Sequence, residues 1–242
     1  MKNFMFQLLT LGALLITFVL QSCNTDDNDA VINSTALVTV RPLADKGFSM
    51  QLDDNTTLYP SNLKTSPFGV KEVRALVNFR AETLANGKPV NVYVNWIDSI
   101  RTKQPVATAG ADNDKFYGND PIEIVKDWVT VAEDGYLTLR IRTRWGAAQP
   151  IHYVNLLTGT NPNNPYELEL RHDARGDVNG RMGDALIAFN LNNLPKNNDK
   201  KVTIKLNWTS FTGKKSAEFS LSMHSAPIYT SREHATLNVC VK

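Results

Sequence analysis

Two histidines, an aspartate-rich loop and three alternating arginines are the residues of this chain whose types and spacing could do chemistry. His152 and His172 fall among apolar residues in segments that read as strands. Imidazoles can ligate zinc, but two of them without a third ligand of known proximity do not define a zinc site. They are therefore read as satisfied core or edge residues, and His224 and His234, near strand ends, carry less information. The run from His172 to Gly180 contains Asp173, Asp177 and Asn179, as a cation loop would. An EF-hand needs oxygen ligands at alternate positions and a glutamate six residues past its glycine. Position 186 is Leu, so the run is expected to connect strands and to hold no metal. Arg175-Gly176-Asp177 spells an integrin tripeptide, but three residues of a Gly/Asp loop arise easily by chance.

Arg140, Arg142 and Arg144 share one face of a strand, with Tyr136 and Trp145 nearby, and such a stripe could hold a nucleic-acid backbone. Glu167 and Glu169 alternate in the same way on a later strand. Cross-strand ion pairs on a solvated face account for both stripes, so no nucleic-acid partner is expected. Neither G-x-S-x-G nor H-E-x-x-H occurs. The expectation is a protein with no catalytic residues and no cofactor, not an enzyme.

The two cysteines lead elsewhere. Lys2 precedes an apolar run from Phe4 to Leu20, interrupted only by Gln7, Thr10, Gly12 and Thr17. This has the form of a secretory signal. A retained transmembrane helix would need roughly 17–25 apolar residues and a basic flank. Here the run ends at Cys23 with no such flank, and Leu20-Gln21-Ser22-Cys23 resembles the bacterial lipobox. Gln21 departs from the small residue usual at that position. Residues 1–22 are thus expected to be a lipoprotein signal peptide and Cys23 the lipidated residue, leaving a mature chain of 220 residues. With Cys23 acylated, Cys240 has no intramolecular partner, so stability must come from apolar burial. Asn24-Thr25-Asp26-Asp27-Asn28-Asp29 opens an acidic tether, residues 23–35. Acidic residues just past the lipidated cysteine resemble the surface-export signal of lipoproteins in the Bacteroides group. The expected place is the outer membrane, held by lipid, facing the cell surface.

Composition agrees with one or two globular domains. Of 242 residues, 42% are hydrophobic and 21% charged, which excludes wholesale disorder and rod-like folds. A net charge of +2 is too small to imply a polyanionic partner by itself.

The elements that position these residues are strands. From about residue 36 the apolar pattern has period two, the signature of an all-β chain. Val73, Ala75, Val77 and Phe79 alternate with Arg74, Asn78 and Arg80, and Val90, Val92, Val94 and Trp96 with Asn91, Tyr93 and Asn95. Asn86-Gly87 between them is a hairpin turn signal, since a primed turn needs positive φ. With strands near Ala36–Arg41 and Phe48–Asp53, residues 36–103 make a small β-domain. Gln104-Pro105, Gly110 and Asp112-Asn113-Asp114-Lys115 read as a linker over 104–120. Residues 121–242 predict strands at Ile122–Ala132, Tyr136–Trp145, Ile151–Leu157, Tyr166–His172, Ala185–Leu191, Val202–Phe211, Ala217–His224 and Thr236–Val241. Eight strands with short connections suggest an antiparallel β-sandwich.

The strings Asp134-Gly135-Tyr136-Leu137, His152-Tyr153-Val154-Asn155-Leu156, Leu168-Glu169-Leu170-Arg171-His172-Asp173 and Gly176-Asp177, behind a lipobox, resemble the NigD-like lipoproteins of the Bacteroides group. The resemblance implies an OB-like N-terminal barrel, a C-terminal β-sandwich and a link to bacteriocin operons, with an immunity or operon-accessory role. Asp98-Ser99-Ile100 resembles the short acceptor motif for O-glycosylation in that group, which marks Ser99 as a modification site. The partner is then an unnamed protein or glycan, besides the membrane reached through the lipid. Two alternatives stand beside this reading. One is a fimbrillin-like adhesin subunit. The other is a surface glycan-binding accessory using Tyr93, Tyr117 or Trp145.

Overall fold

The computed structural model describes residues 33–44, 47–146, 151–195 and 201–222. The lipobox, Cys23, the acidic run, His224, His234, Cys240 and the strand expected at 236–241 lie outside them.

The first half closes into a five-stranded barrel. Its strands are β1 (Asn33–Pro42), β2 (Phe48–Asp53), β3 (Thr56–Pro60), β4 (Val73–Ala85) and β5 (Lys88–Ser99), in the order β1-β2-β3-β5-β4. β1 meets β4 antiparallel, Val38 opposite Ala75, and β3 meets β5 parallel, Tyr59 opposite Asn91. Closure leaves no free sheet edge. Inward positions fill the barrel with Val38, Val40, Phe48, Met50, Leu58, Ala75, Val77, Phe79, Val92 and Val94. The Asn86-Gly87 turn joins β4 to β5 with φ of 51° and 75°, as a primed turn requires. β3 went unread in the sequence because it is five residues long and ends at Pro60. Asn33, Ser34 and Thr35, expected in the tether, extend β1.

The second half is a sandwich. One sheet runs β6 (Arg101–Lys103), β13 (Arg181–Asn190), β10 (Tyr136–Trp145), β8 (Glu123–Val125), with β9 (Val131–Glu133) also paired to β10. The other runs β15 (Gly213–Ser222), β14 (Lys201–Ser210), β12 (Glu167–Asp173), β11 (Tyr153–Thr158), β7 (Val106–Ala107). Leu137, Leu139, Ile141, Ile187 and Phe189 of the first sheet pack on Leu156, Leu168, Leu170, Ile204 and Leu206 of the second.

Three details differ from the sequence reading. The single strand expected over 122–132 is two, β8 and β9, separated by a turn in which the Thr130 amide bonds to the Asp127 carbonyl. The sandwich is not purely antiparallel, since β6–β13, β7–β11 and β12–β14 are parallel pairs. The segment 104–120, read as a linker, belongs to the sandwich. β6 enters one sheet and β7 the other, with only Gln104-Pro105 between them, and a 3-10 turn (Gly110–Asp112) and the short helix α1 (Asn113–Tyr117) follow. Pro105 cannot donate to a ladder, and the chain changes sheets there.

Barrel and sandwich lie in one compact unit. Residues Leu37 to Val40 of β1 and Tyr136 to Leu139 of β10 are buried on both faces. One face of each strand fills its own core and the other lies at the junction of the two domains. Leu37, Ile100 and Ala188 form an apolar seam there, with Leu76, Val131 and Leu186 packed against it.

Candidate functional site

An ionic cluster flanks that seam. Arg74, which alternates with the apolar residues of β4, is 0% exposed. Its guanidinium donates to Thr39 Oγ1 at 2.7 Å, Thr138 Oγ1 at 3.4 Å and Glu133 Oε1 at 2.6 Å. Arg41 pairs with Glu72 at 3.1 Å and with Asp134 at 2.6 Å. The Tyr136 hydroxyl donates to the other Glu72 oxygen at 2.6 Å. Burial and the Glu72 carboxylate hold that phenol far above its ordinary range. Burial also pushes the Glu133 carboxyl up, against the pull of Arg74. The Asp134-Gly135 hairpin, with φ of 51° and 77°, therefore both turns the chain and presents Asp134 to the barrel. Leu37 and Leu76, apolar on the outward face of β1 and β4, were the signal in the sequence that this face is covered.

The arginine stripe continues the same face of β10 beyond the barrel. Arg140 pairs with Asp127 at 2.8 Å and Asp184 at 2.6 Å, and Arg142 with Asp184 at 2.6 Å. Hydrogen bonds from both arginines pull the Asp184 carboxyl down to about 2. Cross-strand ion pairs do account for these two arginines, though the acids come from β13 and the β8–β9 turn. Arg144 instead donates to the Gly180 carbonyl at 3.3 Å. Glu167 and Glu169 lie on the other sheet. Glu167 pairs with Lys205 of the parallel neighbour at 3.1 Å, and Glu169 with Arg171 of its own strand at 2.9 Å. Bonds from Asn161, Asn207 and Lys205 hold Glu167 at about 2.

The two histidines, twenty residues apart, meet. His152 precedes β11 and His172 lies on β12, whose register sets Val154 opposite His172. His152 Nδ1 is 2.9 Å from His172 Nε2. His152 Nε2 is 3.2 Å from Asp177 Oδ2, and His172 Nδ1 is 3.3 Å from the Pro121 carbonyl. Asp177 also accepts the Gly146 amide at 2.8 Å. Trp145 stacks on His152 with centroids 4.2 Å apart and donates to the Gly183 carbonyl at 3.1 Å. Burial, then the charge of His152, push His172 below its ordinary value, while the Gly146 amide and His152 hold Asp177 down. In the 172–180 loop Asp177 is thus turned inward to a histidine, Asp173 accepts the Arg175 amide at 2.8 Å, and Ala174 is tied to Asp120. Among the described residues no group of three or more His, Cys, Asp or Glu is placed to hold a metal ion.

The aromatic residues considered for sugars lie on separate elements. Arg80 covers Tyr93 on the barrel at 4.4 Å, Tyr117 in α1 donates to the Ala107 carbonyl, and Trp145 is engaged as above. Asp98 and Ser99 are exposed at the end of β5. A cavity of about 390 Å³ opens beside Gln104, Pro105, Asn161 and Asn193, and no charged side chain lines it.

Comparison with known proteins bears on both halves. Residues 37–100 match the NigD-like N-terminal OB domain, and residues 104–221 match the NigD-like C-terminal beta sandwich domain. A crystal structure of a protein described as toxin-related, from Parabacteroides distasonis, is similar at 31% identity with a TM-score of 0.66, covering 85% of this chain and 99% of that one. A NigD-like immunity protein from Bacteroides caccae is 20% identical with a TM-score of 0.54, covering 76% and 90%. A protein described as a lipoprotein, from Bacteroides fragilis, is 13% identical with a TM-score of 0.52, covering 81% and 100%. The last two share the fold. No curated protein matches the chain.

Proposed function

The chain belongs to the NigD-like family, and from that premise we propose that it is a lipid-anchored outer-membrane accessory protein, exposed at the cell surface, that acts by binding rather than by turnover. The observation that carries the reading is the run Leu20-Gln21-Ser22-Cys23 at the end of an apolar segment, joined to a family in which one structural relative is described as a lipoprotein. A non-catalytic role is supported by how the polar groups are used. His152, His172, Asp177 and Arg74 bond to one another or to other protein groups. The relative named an immunity protein supports a bacteriocin-related role for this chain.

Mass spectrometry of the mature protein should find an N-terminus at Cys23 carrying acyl chains, and the same spectrum should show sugar on the peptide containing Ser99. Protease added to intact cells should remove the protein while a periplasmic control survives. An unmodified Cys23, or a cut elsewhere, overturns the anchor; a protected band overturns surface exposure and leaves the anchor standing. Deleting the gene should sensitise cells to the cognate bacteriocin, and unchanged killing would count against immunity.

A further inference from the structure

Two acceptors bracket the pair of imidazoles. At one end lies the Pro121 carbonyl, at the other the Asp177 carboxylate, kept ionised by the Gly146 amide and His152. Neither can donate, so each end requires an N–H on the ring that faces it. The 2.9 Å contact between His152 Nδ1 and His172 Nε2 requires a third. Two neutral imidazoles carry only two N–H groups. We infer that His152 and His172 form a proton-binding site that holds one proton more than two neutral rings, as an imidazole–imidazolium pair closed at both ends.

The positions assign that proton. His172 is neutral, with Nδ1–H directed to Pro121 and Nε2 bare. His152 carries both ring protons, one shared with His172 and one given to Asp177. Asp177 supplies the compensating charge, and Trp145 lies face to face with the cation, the arrangement that favours a cation over an indole. His172 is 1% exposed and the side chains of His152 and Asp177 are 2% and 7% exposed, so water does not substitute for the missing link. The other charged groups around the pair are engaged. Asp120 accepts the Ala174 amide and Asp173 the Arg175 amide, while Arg175 lies over Tyr153 and Arg144 bonds to Gly180.

This proton fastens the two sheets at one end of the sandwich. His152 and His172 belong to the β11–β12 side, whereas Trp145 ends β10 and Asp177 lies in the loop leading to β13. Loss of the proton removes one of three bonds in series. Because the folded pair binds it and separate histidines above pH 6.5 mostly do not, this contribution to stability falls as pH rises. A second proton would charge buried His172, whose value lies below 6.5, so stability also falls as pH drops from 6.5 toward that value. The device is a latch that is strongest near pH 6.5 and weakens on either side.

Two-bond proton–nitrogen NMR of the full mature protein tests it, since the nitrogen shift separates protonated from bare ring positions. His152→Gln and His172→Gln serve only for assignment. At pH 7.5, where an ordinary imidazole is about nine-tenths neutral, three of the four nitrogens of the pair should be protonated, with His172 Nε2 bare. Two protonated and two bare nitrogens would overturn the proposal. Trp145 fluorescence, read as the emission that Trp145→Phe removes from a chain of four tryptophans, gives a second readout. It should rise across the same pH step at which the ring-nitrogen shifts show the pair losing its proton, and unchanged emission across that step would overturn the stacked cation.

Discussion

Arg74→Met should lower the unfolding midpoint by about 6–12 °C, the largest effect expected from a side chain at the domain junction. The guanidinium is wholly buried and is the partner of Glu133 and of two threonine hydroxyls. Removing one member of a buried ion pair leaves the other uncompensated, which costs about 3–5 kcal/mol. Glu133 keeps a quarter of its side chain in water, so the lower end applies, and about 3 kcal/mol corresponds to 2–4 °C per kcal/mol in a chain of this size. The loss should shrink as pH falls from 7 toward 5. Burial already raises the Glu133 carboxyl, and without Arg74 it takes up its proton more readily in the folded state, relieving the buried charge. Adding Glu133→Gln should restore about 1 kcal/mol or more, as expected for directly coupled groups. Thermal unfolding of the four proteins decides the matter: a shift under 2 °C, or strict additivity, would show that the cluster is incidental to the junction.

Gly118→Ala should be still more damaging, costing at least about 3 kcal/mol. Gly118 ends α1 with φ 71° and ψ 175°, a region open essentially to glycine alone and worth about 1–3 kcal/mol of strain to another residue. A Cβ there would also stand 2.7 Å from Asp173 Cα, and that neighbour is backbone of β12, not a movable side-chain tip. The damage would fall where Asp120 donates its amide to the His172 carbonyl. Gly69 is the control, because its φ is 66° but nothing lies within 4 Å of an added Cβ. Gly69→Ala should cost about 1 kcal/mol, the backbone penalty alone. Urea unfolding of both variants would refute the close-approach argument if their losses were equal.

Much of the scaffold was legible because strand periodicity is a local signal. The alternation around Val73–Phe79 and Val90–Trp96 reports which side chains point inward, and Asn86-Gly87 and Asp134-Gly135 report where φ must be positive. The arginine stripe was legible as an ion-pairing face, but its partners were not. Asp184 lies directly opposite Arg142 only because β13 pairs with β10. Glu167 and Glu169, which alternate just as well, ended in the other sheet.

The sequence by itself determined an all-β chain, a small β-domain ahead of a sandwich and the turns, since each follows from neighbours within a few residues, whereas closure of the first domain into a barrel was implied only by the family resemblance. Tertiary structure alone decided what was beside what: that Arg74 is buried, that 101–107 strings a strand into each sheet, and that His152 meets His172 and Asp177. Period two distinguishes the two faces of a strand without naming the element that covers either one. A buried charge and a shared proton exist only once two distant segments have removed water from between them.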